Sequence, residues 1–165
     1  MDLESAAVEL VELLAAQQQQ LVLAESCTGG LVAATLATVP GVSQWLSGSM
    51  VVYQDASKVK WLGVASDIIE RHTSVSAPVA HQMVGGALHQ TPQAGIAAAV
   101  TGHLGPDAPP GMDGVFFLGV GLRGQSPRTW QLELKANKRV GRQREAAQAV
   151  IDTLVRVLRR GATDK

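Results

Sequence analysis

The sequence predicts an α/β fold: a three-layer α/β/α sandwich around a mixed, mainly parallel sheet. Short apolar runs of strand length alternate with helix-period stretches through the first hundred residues. Two later runs, 115–122 and 128–135, are joined by a short link holding Gly124 and Pro127, which makes them an antiparallel pair. The 165 residues are 46% hydrophobic and 17% charged, enough to bury a core without staples.

The elements follow in order. Residues 2–19 read as a helix, with Leu3, Ala7, Leu10, Val11 and Leu14 near one face. Leu21–Ala24 is a short buried strand. After the loop Glu25-Ser26-Cys27-Thr28-Gly29-Gly30, residues 31–39 read as a helix closed by Pro40-Gly41. Residues 49–54 read as the next strand. A short helix over 56–62 ends at Gly63, and another over 67–72 has Ser66 as N-cap. Pro78 opens a longer helix to about His89. Residues 95–101 form a small-residue strand. A Gly- and Pro-rich loop over 102–114 precedes the late strand pair. The last helix spans about 141–160 on a stripe of Ala146, Ala149, Val150, Thr153, Leu154, Val157 and Leu158, with Gly161 as its stop. With no repeat and no linker, residues 1–165 are expected to form one domain, 1–4 and 161–165 being flexible ends.

Charge and cysteine content exclude several classes. Fourteen basic and fourteen acidic residues cancel, which argues against a general nucleic-acid or membrane-surface binder. The single Cys27 rules out an internal disulfide and a cysteine-built zinc site. No apolar run approaches the ~18 residues of a membrane span, and the N-terminus is acidic where a secretory signal is basic. A cytoplasmic protein is expected. The neutral total hides a segregation. Residues 1–121 hold ten acids and three bases, giving −7; residues 122–165 hold four acids and eleven bases, giving +7. That basic part is either a solvated helix face or a phosphate-attracting one.

Three loops carry candidate chemistry. Ser26 lies between a strand and a helix, where α/β sheets bind ligands and helix-start N–H groups hold anions. Ser26 is a candidate nucleophile; the plainer alternative is that Ser26 or Thr28 only caps the helix. Cys27 is a rival nucleophile or a small core residue. In Tyr53-Gln54-Asp55-Ala56-Ser57-Lys58, a partly buried Lys58 can serve as general base in a Ser–Lys pair, or it is an ordinary solvated lysine. Thr101, Gly102 and Gly105 follow the third strand and can bind substrate, or form a plain turn. His72, His81, His89 and His103 show no i, i+4 metal pairing, and no metal site is read.

Together these residues resemble the C-terminal domain of the competence/damage-inducible protein A family, also known as the nicotinamide-nucleotide amidase family. Residues 24–30 reproduce its A-E-S-C-T-G-G loop in full, and Tyr53 and Lys58 match its Tyr-[Ser/Thr]-Asn-x-x-Lys motif, where Gln54 and Asp55 depart from it. Thr101, Gly102, Gly105 and Pro106 match a third motif; His103, Leu104, Ala108 and Pro109 do not. The resemblance covers about residues 5–160. It implies hydrolysis of nicotinamide mononucleotide to nicotinate mononucleotide and ammonia, without metal or cofactor. Ser26 would attack, Lys58 would exchange protons, and Tyr53 would orient them. Backbone near Thr28, Gly29 and Gly30 would hold the oxyanion. Thr101, Gly102 and Gly105 would bind substrate. An Arg-x-x-x-Arg pattern has Arg139 but then Gln143, flanked by Arg142 and Arg144; these arginines are the phosphate candidates. The expected partner is a small nucleotide, with no nucleic acid and no membrane; a homo-oligomer and a stand-alone chain fit the pattern. The alternative is a nucleotide-binding or regulatory module of the same fold without turnover.

Overall fold

The structure, a computed structural model, describes residues 2–163. Met1 and residues 164–165, part of the expected flexible ends, lie outside the described residues. Helices α1 (Leu3–Ala16), α2 (Leu31–Leu36), α3 (Asp55–Leu62), α4 (Ser66–His72), α5 (Ala77–Gln90) and α6 (Arg139–Thr163) alternate with strands β1 (Leu21–Glu25), β2 (Leu46–Val51), β3 (Ile96–Gly102), β4 (Val115–Leu122) and β5 (Arg128–Glu133). The sheet order is β2-β1-β3-β4-β5. β1 pairs parallel with both β2 and β3; β4 and β5 add antiparallel. This is the mixed α/β sheet that the pattern predicts.

Period-two alternation divides the core. Leu21, Leu23, Ile96, Ala98, Val100, Phe116, Leu118 and Val120 face α1, α2 and α6. Val22, Ala24, Ala97 and Ala99 face α5 and its neighbours. Each fully buried Leu or Phe contributes about 1.5–3 kcal/mol relative to exposure. On the α5 side small residues let the helix approach the sheet closely. A Cβ at Gly119 would meet Val84 at 2.9 Å and the Ala80 carbonyl at 3.0 Å. Among the described residues no helix is long and apolar enough to cross a membrane.

Some boundaries differ from the sequence reading, each for a local reason. β2 begins at Leu46, not 49: a register shift between Leu21 and Val22 lets Ser47 bulge, so the Ser- and Gly-rich start still pairs. Residues 52–54 leave the sheet to enter α3. Ser66 is the first helical residue of α4 rather than its cap; the cap position is Ala65, whose N–H bonds Gln82 Oε1 at 2.8 Å. α6 starts at Arg139, running through Gly141, where a Cβ would lie 2.8 Å from that of Ala136, and on past Gly161.

Candidate functional site

β1 is the point where the chain first crosses to one side, to β2, and then to the other, to β3. The carboxyl ends of β1 and β3 therefore flank the crevice in which open α/β sheets hold ligands. There Ser26 N–H continues the ladder to the Val100 carbonyl at 3.0 Å. A cavity of about 440 Å³ opens at this edge. Ser26, Tyr53, Lys58, Thr101, Gly102, Gly105 and Arg139 all line it.

The Ser26 loop is held by a residue that the sequence reading passed over. Glu25 is 1% exposed. Its Oε2 accepts from Thr28 Oγ1 at 2.8 Å, Gly30 N at 3.1 Å and Val32 N at 3.0 Å. Its Oε1 accepts from Ala33 N and Ser49 Oγ, both at 3.0 Å. The carboxylate thus caps α2 from the end of the preceding strand. Neither Ser26 nor Thr28 occupies the cap position; Gly30 does, at φ 97°, with no side-chain cap. The helix-start amides are spent, those of Gly30, Val32 and Ala33 on this carboxylate and that of Leu31 on the Thr28 carbonyl, and are not open to a ligand. Gly29 N–H is also occupied, by the Ser26 carbonyl at 3.0 Å. The Cys27 and Thr28 N–H groups, in the turn just after Ser26, have no partner among the described residues. Gln143, which stands where the family pattern has its second arginine, donates Nε2 to the Thr28 carbonyl at 2.7 Å and ties the loop to α6.

Lys58 is not a solvated lysine: it is 1% exposed, buried from α3. Its Nζ reaches Asp55 Oδ1 at 3.3 Å. Ser26 Oγ makes no hydrogen bond among the described residues. Ser26 and Lys58 line one cavity with no hydrogen bond between them. Cys27 is 5% exposed, and burial pushes its thiol up to about 12, so it stays protonated at neutral pH. Its Sγ packs where a Cβ on Gly102 would come within 3.2 Å. A protonated, packed thiol is a core group, not an activated nucleophile.

Thr101 is buried and donates Oγ1–H to the Ser74 carbonyl at 2.9 Å, which leaves its oxygen free to accept. Gly102 has a packing role: a Cβ there would lie 2.4 Å from that of Phe116. Gly105, at φ 74°, accepts Arg139 Nη1 on its carbonyl at 2.6 Å. Arg139 Nη2 donates to the half-exposed Tyr53 hydroxyl, also at 2.6 Å. Both hydrogen-bond partners are neutral, and Asp107 is the carboxylate that lines the same cavity. The other two arginines are elsewhere. Arg142 is forked onto Asp113 at 2.7 and 2.8 Å, which also holds that carboxyl below its usual range. Arg144 lines a separate hollow with Glu4, Glu145 and Asp152. His103 lines the site, and burial holds its imidazole below its usual range, so it faces the cavity neutral at pH 7.

The CinA C-terminal domain model matches residues 3–158. A CinA-like protein of Dictyoglomus thermophilum is 37% identical over 118 residues, 70% of this chain and 28% of that protein. The chain thus spans under a third of that relative's length. The nicotinamide-nucleotide amidohydrolase PncC of Enterobacter agglomerans is 34% identical over 159 residues, 95% of this chain and 94% of that one. The crystal structure of a competence/damage-inducible protein from Agrobacterium tumefaciens superposes with a TM-score of 0.90 at 27% identity, covering 96% of each chain. A CinA superfamily protein from Klebsiella pneumoniae reaches 0.92 at 24% identity, over 97% of this chain and 99% of that one, and bears on the fold alone. By sequence and fold, the chain belongs to the CinA C-terminal domain family.

Proposed function

We propose that this chain hydrolyses the carboxamide of nicotinamide mononucleotide, giving nicotinate mononucleotide and ammonia, through an acyl-enzyme on Ser26. The observation that carries the reading is the convergence of Ser26, Lys58, Tyr53, Thr101 and Arg139 on one cavity at the carboxyl ends of β1 and β3. It is supported by 34% identity, over nearly the whole chain, to a protein named nicotinamide-nucleotide amidohydrolase.

The chemistry runs in two halves. Ser26 Oγ attacks the carboxamide carbon while Lys58, as the neutral amine, takes the hydroxyl proton. The carbonyl oxygen becomes an oxyanion, for which the unpaired Cys27 and Thr28 N–H groups are the donors at hand. In this they replace Gly29 and Gly30, whose amides are occupied. Lys58 returns the proton to nitrogen, the C–N bond breaks and ammonia leaves. Water then adds to the ester and frees Ser26. Thr101 Oγ1 accepts from the substrate amide N–H and orients it. Arg139 meets the phosphate, and its bond to the Tyr53 hydroxyl links phosphate binding to a second residue of the same cavity.

A binding module without turnover is the second reading. It is favoured by the Lys58 contact to Asp55 and the lack of a Ser26–Lys58 hydrogen bond. Ammonia release from nicotinamide mononucleotide separates the two, with Ser26→Ala and Cys27→Ala alongside wild type. Release that is lost in Ser26→Ala and kept in Cys27→Ala is the expected result. Loss in Cys27→Ala alone refutes the Ser26 assignment; a silent wild type that still binds the nucleotide favours the module.

A further inference from the structure

His103 lines the Ser26 cavity, yet the acyl-transfer steps give it no task. Its backbone is fixed by the sheet. Beyond Gly102, the end of β3, the His103 N–H continues the β3–β4 ladder to the Val115 carbonyl at 2.9 Å. The His103 carbonyl accepts from Gly114 N at 3.0 Å. Period-two alternation assigns the faces. Val100 and Leu104 belong to the core under α1, α2 and α6, while Ala97 and Ala99 face α5. Thr101 and His103 follow in the register of Ala97 and Ala99, and both line the cavity. They stand two residues apart, about 7 Å at strand rise.

The half-buried imidazole has no hydrogen-bond partner among the described residues. Its neighbours are already tied: Thr101 to the Ser74 carbonyl, Arg139 to Gly105 and Tyr53, and Lys58 to Asp55. Burial keeps the His103 ring neutral at pH 7, with one N–H donor and one acceptor nitrogen. A hydroxyl both donates and accepts, so it satisfies whichever nitrogen faces it. A phosphate dianion only accepts, and bonds only the N–H edge. Order along the chain locates the ring on the substrate. In the proposed reaction Thr101 orients the carboxamide, and Arg139, bonded to the Gly105 carbonyl, meets the phosphate. His103 lies between Thr101 and Gly105, and between the carboxamide and the phosphate of nicotinamide mononucleotide lies the ribose.

We propose that His103 is a specificity residue that hydrogen-bonds the ribose 2′,3′-diol of the nucleotide. It stands where this chain departs from the family's third motif. The assignment rests on the nucleotide reading of the cavity and needs no turnover.

Isothermal titration of the full chain with nicotinamide mononucleotide and with its 2′,3′-dideoxy analogue tests it. The parent carries Ser26→Ala, so that ligand is bound and not consumed; His103→Ala, His103→Gln and Asp107→Ala are added to it. Loss of the diol should weaken binding to the parent about fivefold or more, as loss of one neutral hydrogen bond does. His103→Ala should weaken nicotinamide mononucleotide by a similar factor and bind the two ligands alike, so the two deletions are not additive. His103→Gln, which keeps a donor and an acceptor, should restore part of the preference. A His103→Ala chain that keeps the full preference overturns the proposal, because the ring then meets another part of the ligand. So does a parent that binds both ligands alike, or neither. Loss of the preference in Asp107→Ala alone assigns the diol to that carboxylate and refutes His103. Ammonia release by wild type is followed separately: coupling in binding with no release leaves His103 in place and refutes the amidase reading instead.

Discussion

Replacing Glu25 by glutamine keeps the side chain's shape and removes one acceptor oxygen. The amide oxygen would stay with the three donors on Oε2, namely Thr28 Oγ1, Gly30 N and Val32 N. The NH2 group would then face Ala33 N and Ser49 Oγ. The Ser49 hydroxyl can rotate to accept; the Ala33 N–H has no such freedom. One shielded N–H left without an acceptor costs about 1–3 kcal/mol. The three retained bonds fall from charge-assisted to neutral, at about 1 kcal/mol each. Relief of the carboxylate's desolvation offsets part of that sum. A net loss of about 3 kcal/mol remains, which lowers Tm by about 6–12 °C in a domain of this size. Calorimetry of wild type, Glu25→Gln and Gln143→Ala measures it. Gln143→Ala sets the scale, because it deletes one neutral bond worth about 1 kcal/mol. A Glu25→Gln shift no larger than that of Gln143→Ala would refute the claim that this carboxylate holds the Ser26 loop and α2 together.

Two further outcomes follow from the same geometry. Arg139→Ala should raise KM for nicotinamide mononucleotide about tenfold or more, and by more than it lowers kcat, whereas Arg144→Ala should change neither in steady-state assays. The Cys27 thiol sits near 12 in the folded chain against 9.0 as the ordinary value, so its contribution to stability is full below pH 9 and is lost as pH rises from 9 toward 12. By pH 10 wild type should lose about 1 kcal/mol that Cys27→Ala does not lose, read from urea denaturation at pH 7 and 10.

Local signals made most of this legible in the sequence. The run Leu21–Ala24 and the motif after it locate Ser26 without any long-range knowledge. Lys58 was legible as a residue but not as a buried one, since an eight-residue helix with few apolar positions does not announce its inward face. Glu25 reads like an ordinary acid at a strand end. Its role depends on where residues 28–33 and Ser49 lie in space, and spacing alone does not supply that. The Arg-x-x-x-Arg resemblance groups Arg139, Arg142 and Arg144 by closeness in sequence, which says nothing of the helix face each occupies. With α6 starting at Arg139, helical turn of about 100° per residue puts Arg144 some 140° round from it. The two cannot serve one cavity.

The segregated charge follows the same logic. The eleven bases after residue 121 do not make one phosphate-attracting face, nor merely a solvated helix. Arg123 is consumed by the carbonyls of Leu88, Thr91 and Ala94, which closes the C-terminal end of α5. Arg142 and Arg159 pair with Asp113 and Glu9, both from the acidic part of the chain. The two ion pairs cancel charge where they stand and join the acidic part of the chain to the basic part; Arg123 is held by carbonyl dipoles alone. The two ends of α6 then differ: Arg139 bonds neutral partners at one, while Arg156 shares a hollow with Glu9 and Asp152 at the other. Arg139 and Arg156 are seventeen residues apart on one helix, about 26 Å, so the two guanidinium groups cannot meet one small ligand. A neutral total is compatible with anion binding, because a site for one small anion needs a single guanidinium whose hydrogen-bond partners are neutral, as those of Arg139 are.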